Sequence, residues 1–223
     1  EAITVNEGGQ VDRANNALQQ HMWNNFAVEM TGGKFYVGAG TQAMGVTFTI
    51  KAPTTSGAIS EILPGGGSGD FKLRSEGLNI TFDVAQNASA LVSAAINTNG
   101  THGTLTKTGL GQLELAGNNT YYGATFLNAG TLRVSGTQYS SAGDGTETTV
   151  ATGATYIAAN THKIAYLQGG GNVQILSGVT LTSDDSASTT YSGVMSGAGR
   201  FVKSGSGELT LSGVNTFSGG FTL

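Results

Sequence analysis

One stretch of this sequence occurs twice, with the copies 96 positions apart. Residues 103–127 read GTLTKTGLGQLELAGNNTYYGATFL, residues 199–223 read GRFVKSGSGELTLSGVNTFSGGFTL, and 11 of the 25 aligned pairs are identical. An internal repeat at a fixed spacing, built from strand and turn residues, is typical of stacked architectures. Because stacked units build length and surface, the repeat favours a structural or binding protein over an enzyme with an enclosed cavity.

The repeated positions form a motif of lysine, glycine, asparagine and an aromatic residue. They are Lys107, Gly109, Gly111, Asn119 and Tyr121 in the first copy, and Lys203, Gly205, Gly207, Asn215 and Phe217 in the second. Glycine suits corners at which the chain needs a positive φ or packs tightly on the coil below. Asparagine tolerates left-handed backbone, and its amide can bond the backbone of a neighbouring coil. We predict that the asparagines lie at matching corners, with ligand binding as the less favoured alternative, and that the aromatic residues pack in a ladder.

The composition favours a packed all-β protein over a disordered chain. Glycine accounts for 36 of the 223 residues, and charged residues make up 11% where about 25% is usual. Disordered segments combine low hydrophobicity with high charge, whereas 38% of this chain is hydrophobic. The glycines are therefore predicted to lie in turns.

The charge pattern and the missing residue types exclude several classes of function. The net charge is −4, and the basic residues are scattered singly, so the sequence has no basic stripe for nucleic acid. No apolar run approaches the roughly 20 residues of a membrane-spanning helix. The absence of cysteine excludes disulfides and cysteine-ligated zinc. The sequence begins with Glu1 and not with methionine, so we expect a processed product or an excised fragment.

Strand patterns recur at a spacing that is too long for hairpins. Residues 45–50 and 77–84 alternate apolar and polar side chains, and a shorter glycine-plus-strand pattern recurs at 111–115, 130–134 and 207–211. A sandwich would show turns every 8–12 residues or so. One strand pattern that returns after about two dozen residues instead indicates a solenoid that passes once around per coil. The sequence predicts a right-handed parallel β-helix of about nine to eleven coils.

The chain divides into two parts on these patterns. Residues 1–76 are predicted to form N-terminal coils, with a cap at 12–23 in the form of a short helix or a large loop, and with a protruding loop at 51–76. Caps are expected because the end of a solenoid exposes apolar side chains and unpaired backbone groups. Residues 77–223 are predicted to form the β-helix that carries the repeat.

The run LTKTGLGQLELAGNNTYYGATFLNAGTLRVSG at 105–136 resembles the autotransporter-associated β-strand repeat of Gram-negative passenger domains. Its hallmarks are Lys-Thr-Gly-x-Gly, Leu-x-Leu, Gly-x-Asn-Thr-Tyr and Asn-Ala-Gly-Thr-Leu, and the first copy has them all. The resemblance implies a right-handed β-helix at the cell surface or secreted by the type V route, exported through an outer-membrane β-barrel of the same polypeptide. The sequence stops at Leu223, before the expected Asn-Ala-Gly-Thr-Leu, so we expect a piece of a longer protein cut in mid-repeat.

No constellation of residues points to catalysis or to a metal. The only adjacent carboxylates, Asp184 and Asp185, are predicted to lie in a solvated turn, although glycosidases on this fold use paired carboxylates. Residues 65–70 are similar to a single calcium-binding nonapeptide, but one copy without stacked neighbours forms no site. The histidines His21, His102 and His162 lack metal-ligand spacing and are expected at the surface or at corners. The sequence predicts no enzyme activity, no metal and no cofactor.

The leading functional hypothesis is a rigid β-helical stalk or adhesin that acts in host-cell attachment, aggregation or biofilm formation. The expected partners are the barrel of the same polypeptide, a host or bacterial surface glycan or protein, and other copies of the chain. Candidate binding residues are the aromatic side chains outside the repeat: Trp23, Phe35, Tyr36 and Tyr139. The alternatives are a carbohydrate-active enzyme on the same fold, and a toxin or cell-entry passenger.

Overall fold

The computed structural model describes residues 2–12, 24–37, 42–64, 70–73, 79–98, 103–121, 123–138 and 147–223. Within these ranges the chain forms 24 β-strands and no helix. The strands are β1 (Ala2–Val5), β2 (Gln10–Asp12), β3 (Asn24–Met30), β4 (Gly33–Val37), β5 (Gln42–Ile50), β6 (Ser60–Pro64), β7 (Asp70–Leu73), β8 (Asn79–Val84), β9 (Ser89–Val92), β10 (Ala95–Thr98), β11 (Thr104–Thr108), β12 (Gln112–Leu115), β13 (Thr125–Leu127), β14 (Thr131–Val134), β15 (Glu147–Val150), β16 (Thr155–Ala158), β17 (His162–Gly169), β18 (Asn172–Ile175), β19 (Thr180–Asp184), β20 (Thr189–Tyr191), β21 (Val194–Ser196), β22 (Arg200–Ser204), β23 (Leu209–Leu211) and β24 (Phe221–Thr222).

The strands stack in parallel on three faces of a solenoid. The first face runs β1-β3-β5-β8-β11-β13-β15-β17-β20-β23, and the second runs β2-β4-β6-β9-β12-β14-β16-β18-β21. The third face contains β7 and β10, and further along β17, β19, β22 and β24. Between these two groups it continues through a parallel bridge from Asn119 to Gln138. Strands β5 and β17 extend around a corner and so join the first and third faces.

The parallel β-helix predicted from the sequence is therefore confirmed. One coil passes through the first, second and third faces in turn, as β8, β9 and β10 do. The second face contains nine strands within the described ranges, and eight turns of the chain connect them. This number of turns is slightly lower than the nine to eleven coils expected, because it counts only the turns between β2 and β21 and leaves out the parts of the chain before and after these strands.

Period-2 alternation builds the core, since every second side chain of each strand points inward. Equivalent inward positions of successive coils form continuous ladders. On the second face one ladder consists of Phe35, Ile62, Val92, Leu115, Val134, Ala158 and Ile175. All of these side chains are at most 3% exposed. Each large apolar side chain so buried stabilises the fold by roughly 1.5–3 kcal/mol.

Aromatic residues stack in the same way on the first and third faces. Phe48 and Phe82 are register partners, with ring centroids 5.2 Å apart and an interplanar angle of 9°. Phe201 and Phe221 stack at 5.9 Å and 13°. The parallel register brings like side chains directly above one another, which is what makes face-to-face packing available.

The prediction that residues 51–76 form a protruding loop is wrong for much of this range. Residues 60–64 form β6 of the second face, and residues 70–73 form β7 of the third face. The exposed connection is residues 51–59, and Glu7 holds it against the first coil because its carboxylate accepts hydrogen bonds from Thr54 and Thr55. The predicted cap at 12–23 lies outside the described residues, apart from Asp12 at the end of β2.

Adjacent glycines 170 and 171 provide a matched test of close coil packing. A Cβ at Gly171 would lie 2.4 Å from the carbonyl oxygen of Ala151, whereas a Cβ at Gly170 would meet mainly the hydroxyl of Thr152. We expect Gly171→Ala to lower the free energy of unfolding by about 1–3 kcal/mol, because backbone of the neighbouring coil has to move. Urea denaturation followed by circular dichroism measures the change. Equal losses in Gly170→Ala and Gly171→Ala would contradict this account.

Candidate functional site

The repeated lysines lie inside the solenoid, at the corners of the two repeat copies. Lys107 is fully buried, in register with Phe82 below and Leu127 above. Its Nζ donates to the carbonyl oxygens of Thr108 at 2.6 Å, Gly109 at 2.7 Å and Ala129 at 3.2 Å. The aliphatic stem therefore continues the apolar ladder, and the ammonium satisfies carbonyl groups that the corner leaves without strand partners.

Lys203 repeats this arrangement in the second copy. Its Nζ donates to the carbonyl oxygens of Ser204 at 2.5 Å and Gly205 at 3.2 Å, as Lys107 does with the equivalent residues. Gly109 and Gly205 adopt φ of 70° and 77° at the same point of the motif. Only glycine takes this conformation at low cost, so lysine and glycine together define one corner.

The two copies differ in the charge that surrounds the lysine. Burial lowers the pKa of Lys107 to about 8, and the nearby carboxylate of Asp83 opposes this shift. Lys203 instead faces the buried carboxylate of Asp185, with Nζ and Oδ2 3.9 Å apart. The second corner thus contains an ion pair that the first corner lacks.

The repeated asparagines bond the backbone of the preceding coil. Asn119 accepts a hydrogen bond from the N–H of Ile96 at 2.9 Å and donates to Gly117 at 3.1 Å. Asn215 accepts from Met195 at 2.8 Å and donates to Gly213 at 3.1 Å. Neither asparagine has a positive φ, so both act through the side-chain amide and not through left-handed backbone.

The aromatic residues that follow lie against the interior. Tyr121 is 3% exposed, and its hydroxyl lies 2.6 Å from Thr125 Oγ1 and accepts from Gln138 Nε2 at 3.0 Å. Phe217 packs on Phe201 with centroids 6.3 Å apart. These positions provide core contacts and not an exposed platform for a ligand.

The two copies occupy different faces of the solenoid. The first begins on the first face with β11 and continues on the second with β12, whereas the second begins on the third face with β22 and continues on the first with β23. The 96-residue spacing therefore amounts to four coils and two further faces. The prediction of matching corners for Asn119 and Asn215 is wrong, because Asn119 lies on the third face and Asn215 is bonded to the second. The motif specifies a corner and its flanking strands, whichever face they belong to.

The acidic pair 184–185 is not a solvated turn. Asp185 is fully buried and accepts hydrogen bonds from Ser183 Oγ at 2.9 Å and from the N–H of Tyr166 at 2.5 Å. Burial raises the pKa of Asp185, and these hydrogen bonds and Lys203 oppose the rise. Asp184 is partly exposed and pairs with Lys163 at 3.8 Å. One carboxylate therefore stabilises the interior while the other belongs to the surface.

Tyr166, which the sequence reasoning missed, lies at a β-bulge. Its φ is 46°, and the register between β15 and β17 shifts between Glu147 and Thr148. A tyrosine in left-handed backbone costs roughly 1–2 kcal/mol, which the bond from its N–H to Asp185 offsets. The sequence contains a signal for this bulge, because the adjacent apolar residues Ile164 and Ala165, both inward, break the alternation of β17.

His162 is also an interior residue and not the surface or corner residue expected. It is 4% exposed, its Nδ1 lies 2.7 Å from the carbonyl oxygen of Asn160, and its Nε2 lies 2.6 Å from the hydroxyl of Tyr156. The carbonyl can only accept, so Nδ1 carries the proton and Nε2 accepts from the tyrosine. Burial lowers the pKa of His162 to about 4. The predicted positions of His21 and His102 lie outside the described residues.

Of the four candidate binding aromatics, the structure describes two. Phe35 is 3% exposed and packs edge-on against Phe48 at 5.9 Å, so its prediction as a binding residue is wrong. Tyr36 is half-buried on the outward side of the second face, beside Lys34, which pairs with Glu61 at 3.1 Å. Trp23 and Tyr139 lie outside the described residues.

The outward side of the first face carries a column of uncharged side chains on six successive coils. We call it the threonine column, and its members are in direct register: Thr47, Thr81, Thr106, Phe126, Thr149 and Gln168. Phe126 is partly exposed and replaces a threonine in the middle of the column. The column combines hydroxyl groups, one amide and one aromatic ring on a regular surface.

The described residues contain neither a metal-binding cluster nor a helix that could span a membrane. Among the residues with a described position, no three histidine or acidic side chains are grouped so that they could hold a metal ion. Within the same part of the chain there is no helical segment with the length and hydropathy of a membrane span.

Comparison with known proteins places the repeat in a family. The passenger-associated-transport-repeat family matches residues 105–134 and 201–223, which are the strands and corners of the two copies. The chain carries autotransporter passenger repeats. Such repeats place this chain, residues 1–223, which we call the passenger segment, at the bacterial surface or among secreted proteins.

One curated protein extends this similarity. The adhesin BmaC autotransporter of Brucella suis biovar 1 (strain 1330) is 36% identical to the passenger segment over 128 residues. The alignment covers 54% of the chain but 4% of that protein, so the chain spans only a small fraction of this relative's length. No solved structure matches the chain significantly.

Proposed function

We propose that the passenger segment is a non-enzymatic, rigid β-helical stalk that takes part in adhesion to a host or bacterial surface. The observation that carries the proposal is the 36% identity to an autotransporter adhesin over 128 residues. The stack of parallel strands supplies the mechanism, because ladders that run through successive coils make a stiff rod that holds its outward faces at a fixed distance from the cell. Export through an outer-membrane barrel of the same polypeptide is part of the proposal.

The environments of two carboxylates, Asp185 and Glu114, support a non-enzymatic role. Glycoside hydrolysis needs two carboxyl groups that face one substrate. Asp185 is enclosed by Ser183, Tyr166 and Lys203 and is not accessible to a sugar. Glu114 lies on the outward side of the second face and is bonded to Arg133 at 2.6 Å. Both side chains thus act in the structure.

The test is attachment of the purified segment to cells. Fluorescent beads coated with the segment are incubated with epithelial cells, and in parallel with the producing bacteria. We expect saturable binding that is reduced by soluble segment, and beads coated with the heat-unfolded segment are the control. Failure to bind either cell type above that control would overturn the adhesive role. Release of reducing ends from polysaccharides during the same incubation would overturn the non-enzymatic part.

A further inference from the structure

We propose that the threonine column is a binding surface for an uncharged linear polysaccharide, with Phe126 as the ring on which one sugar stacks. The inference rests on the proposed adhesive function and specifies its ligand class and its site. It goes beyond the repeat motif, whose repeated lysine, asparagine and aromatic side chains lie against the interior or bond the backbone and therefore leave ligand contact to other residues.

Phe126 lies between two threonines on the outward side of the first face. Its register partners are Thr106 on the coil before and Thr149 on the coil after, and both side chains point outward. Inward neighbours Thr125 and Leu127 are buried, so the ring is not needed to fill the core. A partly exposed aromatic ring flanked by hydroxyl groups offers an apolar surface for the C–H face of a sugar and hydrogen-bonding groups for its edge.

The threonine column carries no charge of its own. None of the six side chains in the column is ionised, and the carboxylates beside it have partners. Asp83 accepts from Thr108 Oγ1 at 3.0 Å, and Glu147 accepts from Gln168 Nε2 at 2.8 Å. A strip without positive charge does not attract sulfated or uronic-acid glycans, and it matches an uncharged chain of sugars.

Each coil contributes one side chain to the threonine column. Strands of successive coils lie about 4.8 Å apart, so the column repeats its hydroxyl groups at about that distance along the axis of the solenoid. This is close to the length of one sugar in an extended polysaccharide, so a linear chain can meet one coil per sugar. Gln168 Nε2 also donates to Thr149 Oγ1 at 3.1 Å, which orients the side chains next to Phe126.

The test is affinity electrophoresis of the folded segment in native gels that contain mannan, a β-1,3-glucan or galactomannan, with heparin and alginate as charged probes. We expect retardation by at least one neutral polysaccharide and by neither charged one. Phe126→Thr makes the column continuous and should retain the fold, yet we expect it to weaken binding by about tenfold or more. Ile157→Thr, an outward apolar residue of the second face, is the matched control and should bind as the parent does.

Each outcome decides the inference. It is overturned if no neutral polysaccharide retards the segment, if the charged probes retard it more strongly, or if Phe126→Thr binds as well as Ile157→Thr. Thermal unfolding of both variants shows that lost binding does not reflect lost folding. If the coated beads still attach to cells while the gels show no retardation, the adhesive function stands and the polysaccharide site fails. If the beads do not attach and the gels show no retardation, both the adhesive function and the polysaccharide site are overturned.

Discussion

Replacing Asp185 with alanine is expected to lower the free energy of unfolding by about 3–5 kcal/mol. The carboxylate is fully buried. Its removal leaves the N–H of Tyr166 without this acceptor and Lys203 without this buried counter-ion. Tyr166 also loses the bond that offsets its left-handed backbone. Urea denaturation of the purified segment, followed by circular dichroism and tyrosine fluorescence, measures the change.

The adjacent residue provides the control. Asp184 is partly exposed and pairs with Lys163, whose side chain is 52% exposed, so solvent screens the pair. We expect Asp184→Ala to change stability by no more than about 1 kcal/mol. The loss of stability in Asp185→Asn should lie between those of the two alanine variants, because the amide oxygen still accepts a hydrogen bond from the N–H of Tyr166. Similar losses for Asp184→Ala and Asp185→Ala would show that the buried network is not what stabilises this corner.

Acid is expected to destabilise the segment through His162 by up to about 3 kcal/mol between pH 6.5 and pH 4. The unfolded chain binds a proton on this histidine near pH 6.5, whereas the folded chain does so only near its pKa of about 4. Between these values the unfolded state binds more protons, so stability falls as the pH falls. The physical cause is the cost of charging a ring that is buried between Tyr156 and the carbonyl of Asn160.

The measurement is the free energy of unfolding in urea at pH 7.5, 6, 5 and 4.5, with His162→Gln as the control. The variant keeps a polar side chain beside Tyr156 but cannot titrate, so we expect its pH dependence to be flatter over this range. Glu7 contributes at lower pH, since hydrogen bonds from Thr55 and Thr54 lower its pKa to about 2. Parallel curves for the parent and His162→Gln between pH 6.5 and 4.5 would refute the assignment.

Local patterns were enough to predict several of the strands and the class of fold. Alternation at 45–50 and 77–84 placed two first-face strands, and glycine-plus-strand patterns at 111–115 and 130–134 placed two second-face strands. These signals are readable because every strand of a solenoid has one buried side and one wet side, which the sequence records residue by residue. The same alternation runs through Leu105-Thr106-Lys107 and places the lysine on the inward side, which was not predicted. Its role as a cap for carbonyl groups depends on the corner geometry.

The candidate binding surface was much less predictable. Phe35 and Tyr36 are neighbours in sequence, yet one is core and the other is surface, because successive residues of β4 point to opposite sides and its pairing with β2 and β6 defines which side is inward. Phe126 was not predicted as a binding residue, because its position is distinctive only when it lies between Thr106 and Thr149. These residues are 20 and 23 positions away in the sequence. A column along the axis exists only after the coils are stacked.

The sequence by itself determined the repeat unit: a strand, a corner built from lysine and glycine, a second strand and an asparagine. Within this unit the lysine and asparagine side chains bond carbonyl groups one or two residues away. Only the tertiary structure decided which face each copy occupies, because connections of different length rotate the chain before the second copy begins. It also decided that Asp185 and His162 are buried, since their partners Lys203 and Tyr156 belong to other strands. The repeat that identifies the passenger segment is thus a local device, whereas its outward surfaces arise from stacking.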